Sequence, residues 1–573
     1  MTNADIAAAF EQIADLLELQ AANPFRVRAY RNAARVIGEL KADLAALVQA
    51  GQPLPKLPGV GADLESKIRE LSEHGSLALL GRLQKEVPAG VLEFLHLPGL
   101  GPKRARALYE ELHVHTLAQL LRAARDGRIQ ALPGFGARTQ EQIAAAIETR
   151  LGRVRRFKLA PAAQYARALL EYLCQAPQAA QAVAAGSLRR ARETVGDLDL
   201  LVTSSAGEAV VRHFTAYPDA AEVLQAGGKR ASIALKSGLQ VDLRVVPAES
   251  YGAALLYFTG SKAHNIRLRN LAIDQGMKLN EYGLFRGSRR VAGDTEESVY
   301  AALGLPWIAP ELREDRGEIE AARAGRLPHL IERAALRGDL HAHTKWSDGT
   351  ATIEEMAEAA RSQGLEYLAI SEHSRRLTVA HGLDPTQLAR QVGEIERLNA
   401  RLRGIRLLTG IEVDVLEDGT LDLPDRALAG LDVVVAAVHS KFNLPRARQT
   451  ARILAALDNP HVRVLAHPLG RLIDEREPYD VDMTAIVRKC RQRQVALELN
   501  AHPERLDLSD MHCRMAKDEG AMVAVDSDAH SVHEFDNLVY GIGQARRGWL
   551  EPGDVVNTRP LQPLLAWLRA ARP

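Results

Sequence analysis

Cysteine is scarce in this chain: three residues in 573, at positions 174, 490 and 513, with no paired spacing. That excludes a disulfide-stapled scaffold and a Cys-rich zinc module, and it fits a reducing cytoplasm. No apolar run approaches the roughly 18 residues that a membrane-spanning helix needs. The opening stretch MTNADIAAAFEQIADLLELQ reads as an amphipathic helix and lacks the form of a secretory leader. No membrane partner is expected. Net charge is nearly absent too, at +1. The length, by contrast, is too great for one core and implies roughly three to five domains.

The near-zero charge conceals a gradient. Residues 1–333 carry 43 Lys and Arg against 37 Asp and Glu, a surplus of +6, while residues 334–573 carry 30 against 35, or −5. The surplus concentrates in residues 101–200, with 16 basic and 9 acidic side chains. A basic front half suits the phosphate backbone of a nucleic acid. Eleven of the 18 histidines lie beyond residue 333. A back half rich in imidazole and carboxylate points to metal.

Three turns repeat: LPGVG (57–61), LPGLG (97–101) and LPGFG (132–136), each followed by a helix-forming stretch, ADLESKIREL, PKRARALYEEL and ARTQEQIAAAI. The glycine pairs Gly59 and Gly61, Gly99 and Gly101, and Gly134 and Gly136 permit a tight turn and close backbone approach. The helix that follows presents its first N–H groups to a phosphate. This is the helix-hairpin-helix pattern, which grips a DNA backbone without reading sequence. An ordinary turn between helices explains one copy, but not three. Residues 1–150 are expected to be all-helical.

From residue 186 the period shortens to two. In GSLRRARETVGDLDLLV (186–202), Asp197 and Asp199 share one face of a strand, and LQVDLRVV brings a third carboxylate, Asp242, on a strand able to lie alongside. Converging like charges are unfavourable without cations between them. Three such carboxylates suit two Mg²⁺ or Mn²⁺ ions about 4 Å apart, the arrangement that activates a 3′-hydroxyl and stabilises a leaving pyrophosphate. Gly186 and Ser187 offer backbone and hydroxyl contact to phosphate oxygens, and Arg190 offers a charged fork. A chance pair of aspartates on a solvated edge would not bring these companions.

Beyond residue 335, seven short apolar runs alternate with helical segments, the pattern of parallel strands closed into a barrel. Nine residues gather at the ends of those runs: His341, His343, Asp348, His373, Glu412, His439, His467, Asp528 and His530. A single strand-end histidine is usually structural, but nine such groups are not explained that way. Imidazole with carboxylate suits Zn²⁺, Mn²⁺ or Fe²⁺.

The palm stretch 186–202 resembles the signature of family X DNA polymerases, the group of polymerase beta, and YFTGSKAHNIRLRNLAIDQGMKLNEYGLF (257–285) is similar to that family's thumb-side nucleotide segment. The back half resembles the PHP (polymerase and histidinol phosphatase) domain. The resemblance implies an N-terminal all-α helix-hairpin-helix region, an α+β nucleotidyltransferase palm and thumb, and a C-terminal distorted seven-stranded α/β barrel. It divides the chain at 1–90 (lyase-like), 91–152 (fingers), 153–253 (palm), 254–315 (thumb), 316–335 (linker) and 336–573 (PHP).

It also implies roles. Tyr257, Phe258 and Gly260 would line the incoming sugar, Asn265 the minor-groove edge of the base, and Arg269 the template strand. Lys67 stands where family lyases place a Schiff-base lysine, although Asp63 and Arg26 stand where the animal enzymes carry supporting lysines, and a plain helix lysine near DNA is the alternative. In the barrel, His341, His343, Glu412 and Asp528 would hold one ion, Glu412 with His439 and His467 a second, and Asp348, His373 and His530 a third.

The expected function is template-directed filling of short gaps in base excision repair by a cytoplasmic monomer. Its partners would be gapped or primer-template DNA with a 5′-phosphate, and dNTPs. The barrel would add 3′–5′ exonuclease with AP-endonuclease or 3′-phosphodiesterase activity. The alternatives are a barrel that is only structural, with weak 5′-dRP lyase in front, and a template-independent nucleotidyltransferase.

Overall fold

A computed structural model describes residues 3–20, 22–40, 44–87, 89–97, 100–152, 156–176 and 179–570. The chain forms two compact units, residues 1–157 and 158–573. Among the described residues no helix is long and apolar enough to cross a membrane.

The first unit is helical, as its sequence implies. Helices α1 (Asn3–Leu19) and α2 (Pro24–Glu39) pair through Ile6, Phe10, Ile13 and Leu17, spaced three or four apart so that they share one buried face. The start of α2 is fixed by Pro24 in its first turn and by the Asn23 side chain, which accepts from the Phe25 N–H at 2.9 Å. The first repeated turn links α3 (Leu44–Gln49) to α4 (Ala62–His74). Gly59 lies there at φ +69°, and any Cβ would collide with the Asn32 amide. Further on come α5 (Pro102–Leu112), α6 (Leu117–Arg125) and α7 (Ala137–Gly152), with the third turn before α7.

After a helix over Leu159–Leu173, the second unit forms a five-stranded sheet of β1 (Gln181–Ala184), β2 (Asp197–Thr203), β3 (Ala220–Ala226), β4 (Arg230–Leu235) and β5 (Gln240–Val246), in the order β1-β2-β5-β4-β3. Strand β2 runs parallel to β5 and antiparallel to β1. Helices α8 (Tyr251–Thr259) and α9 (Lys262–Asp274) follow, then a three-stranded antiparallel sheet, β6 (Lys278–Asn280), β7 (Gly283–Arg286) and β8 (Arg289–Ala292).

Residues 316–335, expected to be a linker, contain helix α10 (Glu318–Arg323), whose Glu318, Ile319, Ala321 and Ala322 are buried. Glu318 is held by His264 Nδ1 at 2.6 Å, and His264 Nε2 lies 2.8 Å from the Tyr300 hydroxyl. The charge that makes this stretch look like solvated linker is in part neutralised inside the protein.

Seven parallel strands follow in sequence order: β9 (Gly338–Asp339), β10 (Tyr367–Ile370), β11 (Arg406–Asp414), β12 (Val433–Ala437), β13 (Val464–Leu465), β14 (Ala496–Asn500) and β15 (Val523–Asp526). A parallel bridge between Ala342 and Ala529 brings the chain after β9 beside the chain after β15, so the barrel is nearly closed. Alternate residues divide between two cores. Tyr367, Leu408, Val433, Val435 and Ala524 pack with Leu564 and Leu568 of the C-terminal helix, while Leu368, Leu407, Val434, Leu497 and Val525 pack under the surrounding helices. The first set faces the barrel interior, sealed at one end by that helix. Both faces being buried, the strands read as continuous apolar runs.

Candidate active sites

The palm site is set by register. Strand β2 places Asp199 directly opposite Asp242 of β5, and Asp197 opposite Gln240. Asp197 is exposed and the other two are half-buried. Asp242 accepts from Ser232 Oγ, and Gln240 Nε2 donates to its Oδ2 at 3.1 Å. Burial, then the charges of Asp197 and Asp242, push the Asp199 carboxyl up to about 7. Without a cation the three carboxylates repel, and this donor set fits hard divalent ions.

The loop beside them is built close. Gly186 has φ +62°, and a Cβ there would overlap Asp199 Oδ2; only glycine lets the backbone pass against the carboxylate. Ser187 is half-buried one residue on. Arg190 is buried further than expected of a residue awaiting phosphate: its Nε donates to Glu314 Oε1 at 3.1 Å and its Nη1 to the Thr259 carbonyl. Thr259 precedes Gly260, which closes α8 at φ +69°. Tyr257 and Phe258 meet edge to face with ring centres 5.2 Å apart. Asn265 Nδ2 donates to the Tyr257 carbonyl at 2.7 Å, leaving its buried Oδ1 without a hydrogen-bond partner. Arg269 is exposed on α9.

In the N-terminal unit, Gly61 caps α4 and Gly101 caps α5, both exposed and neither helix with a side-chain cap. Gly134 has φ +84° and Gly136 is exposed before α7. Gly99 lies outside the described residues. Lys67, on α4, is paired through Nζ with the Asp63 carboxylate one turn earlier.

The barrel site arises because the inward series of each strand passes from apolar to ligating side chains. Leu408 leads to Glu412 and Asp414, Val433, Val435 and Ala437 lead to His439, and Ala496 leads to Glu498 and Asn500. All seven strands are parallel, so these ends meet at one rim. His341 and His343 lie beyond the two-residue β9, on either side of the Ala342 bridge, and are fully buried.

The nine groups form one connected cluster. Three sets could each hold an ion: His341, His343 and Asp528; His373, Glu412 and His439; and His343, Asp348, His373 and His530. His467 Nε2 reaches Glu412 Oε1 at 3.1 Å, and His341 Nε2 lies 3.6 Å from the same oxygen. His343 and His373 are thus shared between sets that the sequence reading kept apart. His341 Nε2, both ring nitrogens of His343 and Glu412 Oε2 are buried without a hydrogen-bond partner. Orphaned donors aimed at one another are what a metal centre requires. Despite burial, the Glu412 and Asp348 carboxylates raise His373 to about 9, and Glu412 with Asp414 does the same for His439. Burial, then His530 and His373, presses His343 down to about 3.

Sequence reasoning missed the groups behind this cluster. Glu498 Oε1 lies 2.5 Å from His341 Nδ1, and its Oε2 accepts from the His467 N–H at 2.6 Å. Asp414 Oδ1 lies 3.2 Å from His439 Nδ1, and Asn500 Nδ2 donates to Asp528 Oδ2 at 2.9 Å. Carboxylates bonded to the far nitrogen of a ligating imidazole orient its ring and raise its basicity. The signal was present as two-residue spacing, Glu412 to Asp414 and Glu498 to Asn500.

Comparison with known proteins gives matches along most of the chain. Residues 1–77 match a helix-hairpin-helix domain, residues 91–149 a SAM-like helix-hairpin-helix tandem, residues 254–314 the DNA polymerase beta thumb, and residues 339–502 the PHP domain. The sequence is 39% identical over 573 aligned residues to the DNA polymerase/3'-5' exonuclease PolX of Bacillus subtilis (strain 168), covering 99% of this chain and 100% of that protein. It is 30% identical over 305 residues to DNA polymerase lambda of Rattus norvegicus, covering 47% of this chain and 49% of that one. It is 31% identical over 204 residues to a probable phosphatase of Thermoanaerobacter sp. (strain X514), covering 34% of this chain and 78% of that protein.

Proposed function

Because this chain belongs to the family X DNA polymerases that carry a C-terminal PHP domain, we propose that it fills short gaps during base excision repair and trims 3′ ends with its barrel. The observation that carries the reading is the pair of clusters: Asp197 and Asp199 of β2 beside Asp242 of β5, and, at one rim of the barrel, eight His, Asp and Glu side chains in three sets able to hold an ion, with His467 against Glu412. Divalent ions in the two sites would supply the positive charge that lowers the barrier to phosphoryl transfer.

The remaining steps belong to the chain's own groups. Asp197, Asp199 and Asp242 hold the palm ions, with Asp199 nearest the phosphate loop. The Gly186 backbone and Ser187 hydroxyl donate to the triphosphate, and Arg190 forks onto it. Tyr257, Phe258 and Gly260 bound the sugar, Asn265 donates to the base edge, and Arg269 meets the template. The exposed turns at Gly59 and Gly61, Gly101, and Gly134 and Gly136 hold phosphates on either side of the gap, the 5′-phosphate falling to the first of them.

In the barrel, His341, His343, Asp348, His373, Glu412, His439, His467, Asp528 and His530 hold up to three transition ions and present a scissile phosphodiester to water. Abasic-site cleavage would use the same groups. A 5′-dRP lyase is weak, because Asp63 engages the Lys67 amine in an ion pair.

A labelled gapped duplex incubated with Mn²⁺, with and without dNTPs, tests this. Growth should require dNTPs and a template, and shortening should appear in their absence. Template-independent growth, or no shortening, would contradict it.

A further inference from the structure

The loop that carries Gly186, Ser187 and Arg190 is gripped by a helix of the barrel, α11 (Leu538–Arg547). Tyr540 and Leu188 pack onto the same small apolar cluster of Leu159, Ile473 and Leu506. Gly543 faces Ala191, which has φ 52°; a Cβ at 543 would lie only 2.9 Å from the Ala191 Cβ. Arg547 Nη1 donates to the Arg190 carbonyl at 2.8 Å and to Glu314 Oε1 at 2.9 Å, while its Nη2 donates to Asp510 Oδ2 at 2.7 Å. Positions 540, 543 and 547 follow the three- and four-residue spacing of one helix face.

Glu314 Oε1 therefore accepts hydrogen bonds from two guanidinium groups, Arg190 from the palm and Arg547 from the barrel, with the more exposed Arg192 guanidinium 3.8 Å away. The side chains of Arg547 and Glu314 are 2% and 11% exposed, so water screens little of the interaction. A buried carboxylate with a single cationic partner binds it tightly and competes with any phosphate for it. A second guanidinium divides that claim.

We propose that Arg547 is a positioning residue for nucleotide binding: by sharing Glu314 and holding the Arg190 carbonyl, it weakens the hold of Glu314 on the Arg190 guanidinium, so that a triphosphate can draw the guanidinium to itself. The barrel is then part of the polymerase site as well as a site of its own. This rests on the reading of Arg190 as a phosphate ligand given above.

The test is steady-state incorporation by the full-length protein on a gapped duplex with dNTP concentration varied. Arg547→Ala should raise KM for dNTP about tenfold, the worth of one charge-assisted hydrogen bond, with kcat little changed. Arg547→Lys should fall between. Adding Glu314→Ala to Arg547→Ala should return KM toward the starting value, because the competitor is gone; a merely structural role makes the double variant worse, and that result would overturn the proposal. Arg190→Ala separates the two readings. If it raises KM and neither Arg547 variant does, the proposal falls and the assignment of Arg190 stands. If Arg190→Ala leaves KM unchanged, the assignment itself fails. Should Arg547→Ala melt too early to assay, Arg547→Lys carries the test together with Gly543→Val, which crowds Ala191 and should raise KM by the same route.

Discussion

Asp199 and Asp242 stand opposite each other on parallel neighbouring strands, and the backbone of Gly186 passes so close to Asp199 that no side chain fits between them. Ion site and phosphate loop are thus one piece of structure. Gly186→Ala should lower incorporation sharply and cost the fold more than the penalty of a left-handed alanine, about 1–2 kcal/mol, because its Cβ must also displace Asp199. Melting curves beside incorporation rates check this, and an unimpaired rate would separate the loop from the ions.

Lys67 is engaged by Asp63 on the same helix. Asp63→Asn should release the amine and increase borohydride trapping of the protein on a 5′-deoxyribose phosphate end. Trapping that stays at the starting level would assign Lys67 to phosphate contact alone. Gap affinity should fall steeply with salt in this variant as in the parent protein, since the hairpins act on phosphates.

Glu296 is buried between Arg189, at 2.8 Å, and Arg313, at 2.6 Å. Against the penalty of burial these two arginines hold its carboxyl down to about 2, from an ordinary 4.5. A carboxyl depressed on folding contributes stability above its unfolded pKa and loses it as pH falls through the folded value, here between about 4.5 and 2, a contribution of about 3 kcal/mol. Glu296→Gln should therefore destabilise strongly near neutrality, and its deficit should shrink as the pH falls below about 4. Urea midpoints across that range measure it; a deficit independent of pH would contradict the assignment.

The palm triad was legible because a two-residue period is local, and one strand shows Asp197 and Asp199 on one face. That Asp242 meets Asp199 rather than Asp197 is a matter of register between distant strands, which the sequence does not print. The barrel cluster was legible because each apolar run ends in His, Asp or Glu. Glu498 and Asp414 were not, since a carboxylate near the end of a strand reads equally as a solvated edge. The burial of α10 was hidden for the converse reason: the stretch reads as a linker with some helix, and Glu318 looks like linker charge until His264 and Tyr300 are brought to it by the fold. Nothing in the sequence around Arg547 connects it to a loop more than 300 residues earlier.

The claim that one chain holds two ion-dependent chemistries at separate clusters is tested most directly by crossing the sites on one substrate. Asp199→Ala and the double variant His341→Ala with His343→Ala are each given a labelled gapped duplex with Mn²⁺ and dNTPs, and product lengths are followed in time. The account predicts that Asp199→Ala binds the gap, cannot extend and still shortens the 3′ end, while the histidine variant fills the gap at near-normal rate and no longer degrades. Normal degradation by the histidine variant, or substantial synthesis by Asp199→Ala, would contradict it.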